Sequence, residues 1–288
     1  MSLEEAIQIG RINRMRVVKE VEFGVYLDGG EEWGEILLPA KAVPEGIKPE
    51  DEVNVFLYFD SEDRIIATTN EPFAFVGDFA VLTVRDCSSI GTFLDWGIPG
   101  KDLFLPFREQ IRTLKPGERI VVYVMLDPKR DHIIATMRFN KFLSNDVSRL
   151  KPWQKVTLTI CRKTDMGYPA IINNENHGLL FANEVFEPLK EGDIRTGYIK
   201  QIREDGKIDL SLHKQGYRKL QASQDPILQT LEAHNGFIPV TDKSSPEEIY
   251  KLFSMSKKTY KKTVGTLFKR GLVSLDEDGI RLLKQPKA

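Results

Sequence analysis

One strand-like stretch of six residues occurs three times in the 288-residue chain and constrains its fold more than any other feature. Its copies are Arg64–Thr69, His132–Met137 and Lys207–Leu212. Two landmarks precede each copy in the same order, first Phe23–Leu27, Ile90–Leu94 and Met166–Ala170, then Ile36–Pro39, Leu103–Pro106 and Gly178–Phe181. The first two copies are offset by 67 or 68 residues and the third by about 75, which is too long for a solenoid repeat. The period therefore predicts three small domains in tandem.

The composition, 41% hydrophobic and 29% charged, is that of an ordinary globular protein. The length of 288 residues exceeds what one hydrophobic core usually organises and predicts several domains. The longest apolar run, Ile120–Leu126, is too short to span a membrane, and the N-terminus lacks a secretory signal. Cys87 and Cys161 lie near the ends of apolar runs and are interpreted as reduced, strand-packing thiols. These features predict a cytoplasmic protein.

The net charge of −1 hides a gradient along the chain. Residues 1–70 hold 7 basic and 15 acidic side chains, a net charge of −8. Residues 71–143 and 144–215 each carry +1, and residues 216–288, with 13 basic and 8 acidic side chains, carry +5. A polyanion is repelled by the first segment and attracted by the last. The gradient indicates nucleic acid held mainly by the C-terminal half.

Each repeat is expected to form a small β-barrel. Val53–Phe59 and Ile120–Leu126 are rich in β-branched and aromatic residues, as strands are, and turn residues follow them. About five strands in roughly 65 residues are too few for a sandwich, whereas closure removes the sheet edges and encloses one core. The predicted fold class is mainly β and multidomain. It has three five-stranded barrels over residues 1–70, 71–143 and 144–215, and an α+β domain over residues 216–288.

The repeats resemble the S1-type RNA-binding module of the OB fold. That family carries an aromatic-Gly-x-aromatic strand, a Gly-Leu-Val-His-like stretch, and a hairpin that runs from Asp to Arg/Lys-Ile-x-Leu-Ser. The resemblance covers nearly all of residues 5–213, with Pro39, Pro106 and Phe181 at the histidine position. It implies one face on which rings stack on bases and basic side chains contact phosphates. The implied RNA-binding residues are Phe23, Tyr26 and Arg64 in the first repeat, Phe93 and His132 in the second, and Tyr168, Phe181, Arg203 and Lys207 in the third.

The third repeat combines an aromatic residue with two basic ones, so we expect binding to concentrate there, while the acidic first repeat is expected to act as a spacer or protein contact. Aromatic residues in strands belong more often to a core than to a ligand platform. The residues interpreted as core on this ground are Phe104, Phe107, Trp153 and Phe186. Trp33 and Trp96 lie near expected loop tips, and either role is open for them.

After residue 216 the pattern becomes helical. Asp225-Pro226 and Ser245-Pro246 each give an N-cap followed by proline at the first helical position. A third helix is predicted from about residue 256 to 269, and a hairpin follows it over residues 272–283. The predicted buried stripe of this third helix comprises Tyr260, Val264, Leu267 and Phe268. This order resembles a winged helix, whose third helix often contacts nucleic acid.

Six basic residues on or just after the third helix form a compact patch opposite that stripe. They are Lys257, Lys258, Lys261, Lys262, Lys269 and Arg270. Lysine supplies charge without reading base edges, so these residues are predicted to contact phosphates of RNA.

The complete order, three S1-type repeats and then a winged helix, resembles the conserved virulence factor B (CvfB) family of Gram-positive bacteria. The resemblance implies an RNA-binding regulator of gene expression, including virulence genes in some members, and the expected partner is single-stranded RNA. Two alternatives stay open. One is a DNA-binding transcription regulator that uses the winged helix, and the other is an adapter whose acidic first repeat contacts the ribosome or RNA polymerase.

No enzymatic activity, cofactor or metal is predicted. The four histidines, His132, His177, His213 and His234, are scattered and share no pattern with a nucleophile or a ligand set. The sequence also lacks a Gly-rich phosphate-binding loop and a carboxylate cluster of the two-metal nuclease type.

Overall fold

The computed structural model describes residues 6–60, 62–129, 132–185, 187–214 and 226–283. The chain forms three closed five-stranded barrels and a small C-terminal domain of helices and strands, which confirms the predicted fold class. It divides into two compact units, Met1–Ser144 with Lys190–Asp193, and Asn145–Leu189 with Ile194–Ala288. The domain limits at residues 70, 143 and 215 stay predictions.

The barrels repeat one arrangement of strands. The first contains β1 (Ile12–Val21), β2 (Gly24–Asp28), β3 (Glu35–Pro39), β4 (Glu52–Phe59) and β5 (Ile65–Thr68), with one helical turn, α1 (Gly30–Trp33), between β2 and β3. The second contains β6 (Phe79–Cys87), β7 (Gly91–Ile98), β8 (Lys101–Pro106), β9 (Arg119–Leu126) and β10 (Ile133–Thr136). The third contains β11 (Lys155–Ile160), β12 (Gly167–Ile172), β13 (Asn176–Phe181), β14 (Ile194–Ile202) and β15 (Ile208–Ser211).

In every barrel the third strand pairs in parallel with the fifth, and the spatial order of the first is β1-β2-β3-β5-β4. Short 3₁₀ helices follow the third strands and β10, at Ala40–Ala42, Phe107–Glu109, Phe139–Phe142 and Ala182–Glu184. This closed five-stranded order is that of an OB-type barrel.

The three repeated landmarks of the sequence are neighbouring strands. The glycine of the first landmark lies directly opposite the last residue of the second, in the pairs Gly24–Pro39, Gly91–Pro106 and Gly167–Phe181. A Cβ added at Gly24 would lie 2.2 Å from the carbonyl oxygen of Leu38, and one at Gly167 would lie 2.1 Å from that of Leu180. Glycine is therefore required because the adjacent strand approaches too closely for a side chain.

Alternation along the strands fills each barrel with apolar side chains. Val25 and Leu27 of β2 are buried in the first core, while Tyr26 between them is only half-buried. Phe56 of β4 is an exception, because it is buried in the core of the second barrel, edge to face with Trp96 at 5.3 Å between ring centres. The first two barrels thus share part of one core within the first compact unit.

The C-terminal domain has the predicted helices and hairpin. It contains α2 (Pro226–Ala233), β16 (Phe237–Ile238), α3 (Pro246–Phe253), α4 (Lys257–Lys269), β17 (Val273–Asp276) and β18 (Gly279–Leu282), with sheet order β16-β18-β17. Ser245 caps α3 through a capping box with Glu248, and Pro246 takes the first helical position. The predicted N-cap Asp225 and the predicted core residue Phe186 lie outside the described residues.

Several burial predictions are wrong. Phe268 is 52% exposed because it lies about 100° around the helix from the buried Leu267 and leaves the packed face. Phe107 is 54% exposed because it begins a 3₁₀ helix after β8, where the strand alternation has ended. Both cysteines are free thiols, but Cys87 is exposed at the end of β6 rather than packed. No described helix has the length and apolar character needed to cross a membrane.

Candidate nucleic-acid interface

The first barrel presents an aromatic pair on its surface. Tyr26 projects outward because its neighbours on β2 turn into the core, and Phe23, just before β2, is 57% exposed. Their ring centres lie 6.3 Å apart, edge to face. The two predicted residues are therefore brought together where a base could reach them.

The basic side chains around this pair are neutralised. Arg64 donates hydrogen bonds of 2.9 and 2.8 Å to Oδ2 of Asp60, and it forms a second ion pair with Glu62. Lys19, whose Nζ lies 4.8 Å from the centre of the Tyr26 ring, is paired with Glu35. The face of the first barrel thus offers rings without surplus positive charge.

In the second barrel, Phe93 lies opposite Phe104 on adjacent strands, with ring centres 5.4 Å apart. Both are half-buried, so the interpretation of Phe104 as core is wrong, because its side chain lies beside Phe93 and lines a cavity. His132 is half-buried as well. Its ring centre lies 5.2 Å from that of Phe59, and its Nε2 atom lies 3.4 Å from Oδ1 of Asp63.

In the third barrel, the predicted residues Phe181 and Arg203 are in contact. The guanidinium carbon of Arg203 lies 5.6 Å from the centre of the half-buried Phe181 ring. Asp209 on β15, 9% exposed, fixes the guanidinium through contacts of 2.9 and 3.1 Å. The Phe181 ring and the Arg203 guanidinium therefore form one preformed surface. Bases can stack on an aromatic ring and on a guanidinium plane.

Tyr168 and Lys207 have different surroundings. Tyr168 is half-buried on β12, and Nζ of Lys163, a residue outside the predicted set, lies 5.3 Å from the centre of the Tyr168 ring. The only signal for Lys163 is the basic pair Arg162-Lys163 before the repeated glycine. Lys207 is turned back on its own hairpin, where Nζ donates a 2.7 Å hydrogen bond to Asp205. That hydrogen bond lowers the pKa of the Asp205 carboxyl.

The four lysines in the first two turns of α4 divide into two pairs. Lys257 donates a 2.8 Å hydrogen bond from Nζ to the backbone oxygen of Ser244, and Nζ of Lys261 lies 3.5 Å from Asp242. Lys258 and Lys262, one helical turn apart, are exposed and form no ion pair with any described residue. They can therefore contact a phosphate without first breaking an ion pair. Lys269 is also exposed, and Arg270 is half-buried at the C-cap of the helix.

The opposite face of α4 fixes this arrangement. Ser256 caps the helix by accepting a 3.2 Å hydrogen bond from the backbone of Thr259. Tyr260, Val264 and Leu267 are buried against the other helices and the hairpin. The Tyr260 hydroxyl donates to the backbone oxygen of Val240 at 3.3 Å, and burial, with Asp242 nearby, raises its pKa to about 12. The apolar face holds the lysines toward solvent.

Comparisons with known proteins agree with this fold. Residues 9–70 match the family described as S1 domain, and residues 225–282 match the family described as CvfB-like winged helix domain. The chain is 28% identical over 279 residues to the uncharacterized protein YitL of Bacillus subtilis, covering 94% of this chain and 92% of that protein. It is 23% identical over 256 residues to conserved virulence factor B of Staphylococcus aureus, and the alignment covers 82% of this chain and 80% of that protein.

A solved structure also aligns with the chain. It is the crystal structure of a multidomain protein with nucleic acid binding domains from Streptococcus pneumoniae, with 23% sequence identity and a TM-score of 0.45. The alignment covers 96% of this chain and 98% of that one.

The domain composition, S1-type barrels with a winged helix, is that of a nucleic-acid-binding regulatory protein, and neither matched family is an enzyme family. The resemblance to the CvfB family is confirmed by the winged-helix match and by the relatives that align with most of the chain.

Proposed function

We propose that this chain is a cytoplasmic RNA-binding regulator without enzymatic activity. It binds single-stranded RNA mainly through the third barrel and the winged helix, by base stacking and phosphate contacts. Its similarity to conserved virulence factor B supports a role in regulating gene expression, including virulence genes. In this proposal the acidic first barrel is a spacer or a contact for the ribosome or RNA polymerase.

The contact between Phe181 and Arg203 carries the proposal. A guanidinium held over an aromatic ring can stack with the faces of unpaired bases, which single strands expose and duplexes do not. Tyr168 with Lys163 extends the same chemistry along the third barrel. Lys258 and Lys262 would add phosphate contacts without sequence readout.

A duplex-DNA reader is the second candidate. Reading base edges in the major groove favours arginine, asparagine or glutamine, whereas the exposed residues in the first two turns of α4 are lysines and Thr259. We therefore expect DNA binding by this helix to be weak and independent of sequence.

One competition experiment separates the candidates. The full-length chain is bound to a labelled single-stranded RNA and challenged with unlabelled RNA or with duplex DNA of matched sequence. We expect the RNA to compete at least about tenfold better, since stacking contributes about 1–3 kcal/mol per base. Equal or better competition by the duplex would contradict the proposal.

A further inference from the structure

A cleft of about 580 Å³ opens on the surface of the winged helix, where α3 turns into α4. Its lining includes Pro246, Tyr250 and Lys251 of α3, Met255 of the turn between the helices, and Lys257 at the start of α4. Pockets that bind small ligands have volumes of roughly 300–1,000 Å³. The cleft is therefore large enough to accept one planar ring system, and it lies outside the three barrels.

Contacts on both sides of the cleft hold its walls in place. Ser254, at the C-cap of α3, takes the left-handed conformation with φ 54°, which turns the chain sharply into α4. Phe253, the last residue of α3, stacks on Tyr260 of α4 with 5.2 Å between ring centres. Nζ of Lys257 donates a 2.8 Å hydrogen bond to the backbone oxygen of Ser244, just before α3. A ligand would therefore enter without first ordering the site.

Tyr250 is an exposed aromatic residue on the wall of this cleft. It lies about 100° around α3 from the buried Ile249, so its side chain leaves the core of the domain and is 64% exposed. Its side chain forms no hydrogen bond and no ring contact with any described residue. The other tyrosine of these two helices, Tyr260, is buried and donates its hydroxyl to Val240. The Tyr250 ring is therefore available for an unpaired base to stack on.

Apolar side chains border the Tyr250 ring in the lining. Pro246 lies one helical turn before Tyr250 on the same face of α3. Met255, two residues beyond the end of α3, is half-buried and packs partly on the core of the domain. These groups exclude water from the edge of a ring that stacks on Tyr250, which favours a planar, largely apolar ligand in the cleft.

The charges around the cleft favour a polyanion over an uncharged peptide. Lys251 is exposed and forms no ion pair with any described residue, although Glu247 lies one turn before it. Lys257 uses one of its three donors on a backbone oxygen and keeps the others for a ligand. Lys258, the next residue, is exposed as well, and residues 216–288 carry a net charge of +5. A nucleic-acid strand is therefore attracted to the rim of the cleft.

We propose that Tyr250 stacks on one unpaired base of a bound RNA strand in this cleft, while Lys251 and Lys257 contact the adjoining phosphates. The site rests on the proposed function and deepens it, because the winged helix then binds a single strand by stacking as well as by charge, and α3 takes part beside α4. A base inside a duplex is already paired and stacked, so the cleft favours single strands. Stacking on a ring tolerates every base, so the site adds no sequence preference.

The binding of single-stranded RNA to the full-length chain, followed by fluorescence anisotropy over a range of salt concentrations, tests the site. Tyr250→Leu should weaken binding by about 5- to 150-fold at an unchanged salt slope, because stacking contributes about 1–3 kcal/mol per base and the charge is kept. Tyr250→Phe keeps the ring and should keep the affinity. Phe73→Leu removes a ring that is 67% exposed between the first two barrels, and this matched control should change nothing.

An abasic oligomer of the same length separates stacking from other effects, because it keeps the phosphates and lacks the bases. Its affinity should be the same for the original chain and for Tyr250→Leu. An equal loss on both ligands would show that leucine acts through the fold or the phosphates, and it would overturn the proposal. Thermal unfolding should be unchanged in Tyr250→Leu, since the side chain is exposed.

The failure of this site and the failure of the proposed function give different results. If the original chain binds single-stranded RNA and Tyr250→Leu binds it equally well, the site is overturned and the proposed function stands. If the original chain prefers duplex DNA in the competition experiment, the proposed function fails and the site fails with it.

Discussion

The first and third barrels have the same strand order, but the surroundings of their basic residues differ. In the first barrel, Arg64 contacts two carboxylates, and its charge is neutralised within its own hairpin. In the third, Arg203 contacts one carboxylate, Asp209, and lies over the ring of Phe181. The apolar landmarks that specify the barrel are kept in both, whereas the charged residues between them decide whether the face suits a polyanion. A repeated fold therefore does not imply a repeated binding site.

The largest expected effect comes from removing all four lysines at positions 257, 258, 261 and 262. Replacing them by alanine should lower single-strand RNA affinity by between one and three orders of magnitude near ~0.1 M salt, because each phosphate contact adds about −0.7 to the salt slope. Binding is measured by fluorescence anisotropy over a range of salt concentrations.

The matched control for that variant is in the first barrel. Glutamine at Arg14, Arg16, Lys19 and Arg64 removes four cations that are already paired with carboxylates. Affinity and salt slope should then stay close to those of the original chain. A larger effect of the first-barrel variant than of the α4 variant would reverse the comparison.

A smaller effect is expected from the aromatic residues. Phe181→Ala should cost about 1–3 kcal/mol of single-strand affinity with little change in the salt slope, because stacking is lost and charge is kept. Phe23→Ala in the first barrel should have little effect, although Phe23 is the more exposed ring. Duplex DNA affinity should not respond to Phe181→Ala.

Thermal unfolding of the Phe181→Ala protein separates binding from folding. If the ring were part of the core, the loss would appear as about 3–5 kcal/mol of stability of the third barrel. A well-folded variant with unchanged RNA affinity would remove Phe181 from the interface.

A single lysine gives a sharper comparison. Lys163→Ala should flatten the salt slope by about 0.7, as expected for one phosphate contact near Tyr168. Lys19→Ala removes the corresponding cation over Tyr26, but Glu35 already neutralises it, so the slope should not change. Equal changes in the two variants would show that local pairing does not distinguish the barrels.

The smallest effect concerns acid stability of the first barrel. Burial tends to raise the pKa of Asp60, but hydrogen bonds from Arg64 and Glu62 outweigh it and hold that pKa below the ordinary 3.8. The stabilisation is therefore complete above pH 3.8 and is lost as the pH falls through the depressed pKa. Hydrogen exchange of β4 and β5 amides should show this loss, and Asp60→Asn should reduce its pH dependence. An unchanged dependence in that variant would assign the acid response to other groups.

Local signals explain what the sequence could predict. The N-cap and proline at Ser245 and Pro246 act within one helical turn, and the start of α3 follows from them. The repeated glycine and its landmark are cross-strand partners in each barrel, so their constant spacing reflects a contact. Phe181 and Arg203 could be associated because the S1-type motif already relates their positions.

The features that the sequence did not reveal depend on contacts between distant segments. Tyr58 and Lys101 belong to different barrels, and no spacing within one repeat indicates that they line one cavity. Phe104 lies between the buried Leu103 and Leu105, so the alternation of β8 turns its side chain away from the core and leaves it half-buried beside Phe93. Phe268 fits the period of a buried stripe, but the elements packed on α4 cover a narrower face than the pattern predicts.

Ultraviolet cross-linking of the full-length chain to single-stranded RNA, with the modified residues mapped by mass spectrometry, tests the central claim most directly. We predict cross-links at Tyr168 and Phe181 and on α4. Cross-links concentrated at Phe23 and Tyr26, with none in the third barrel or the winged helix, would contradict the account.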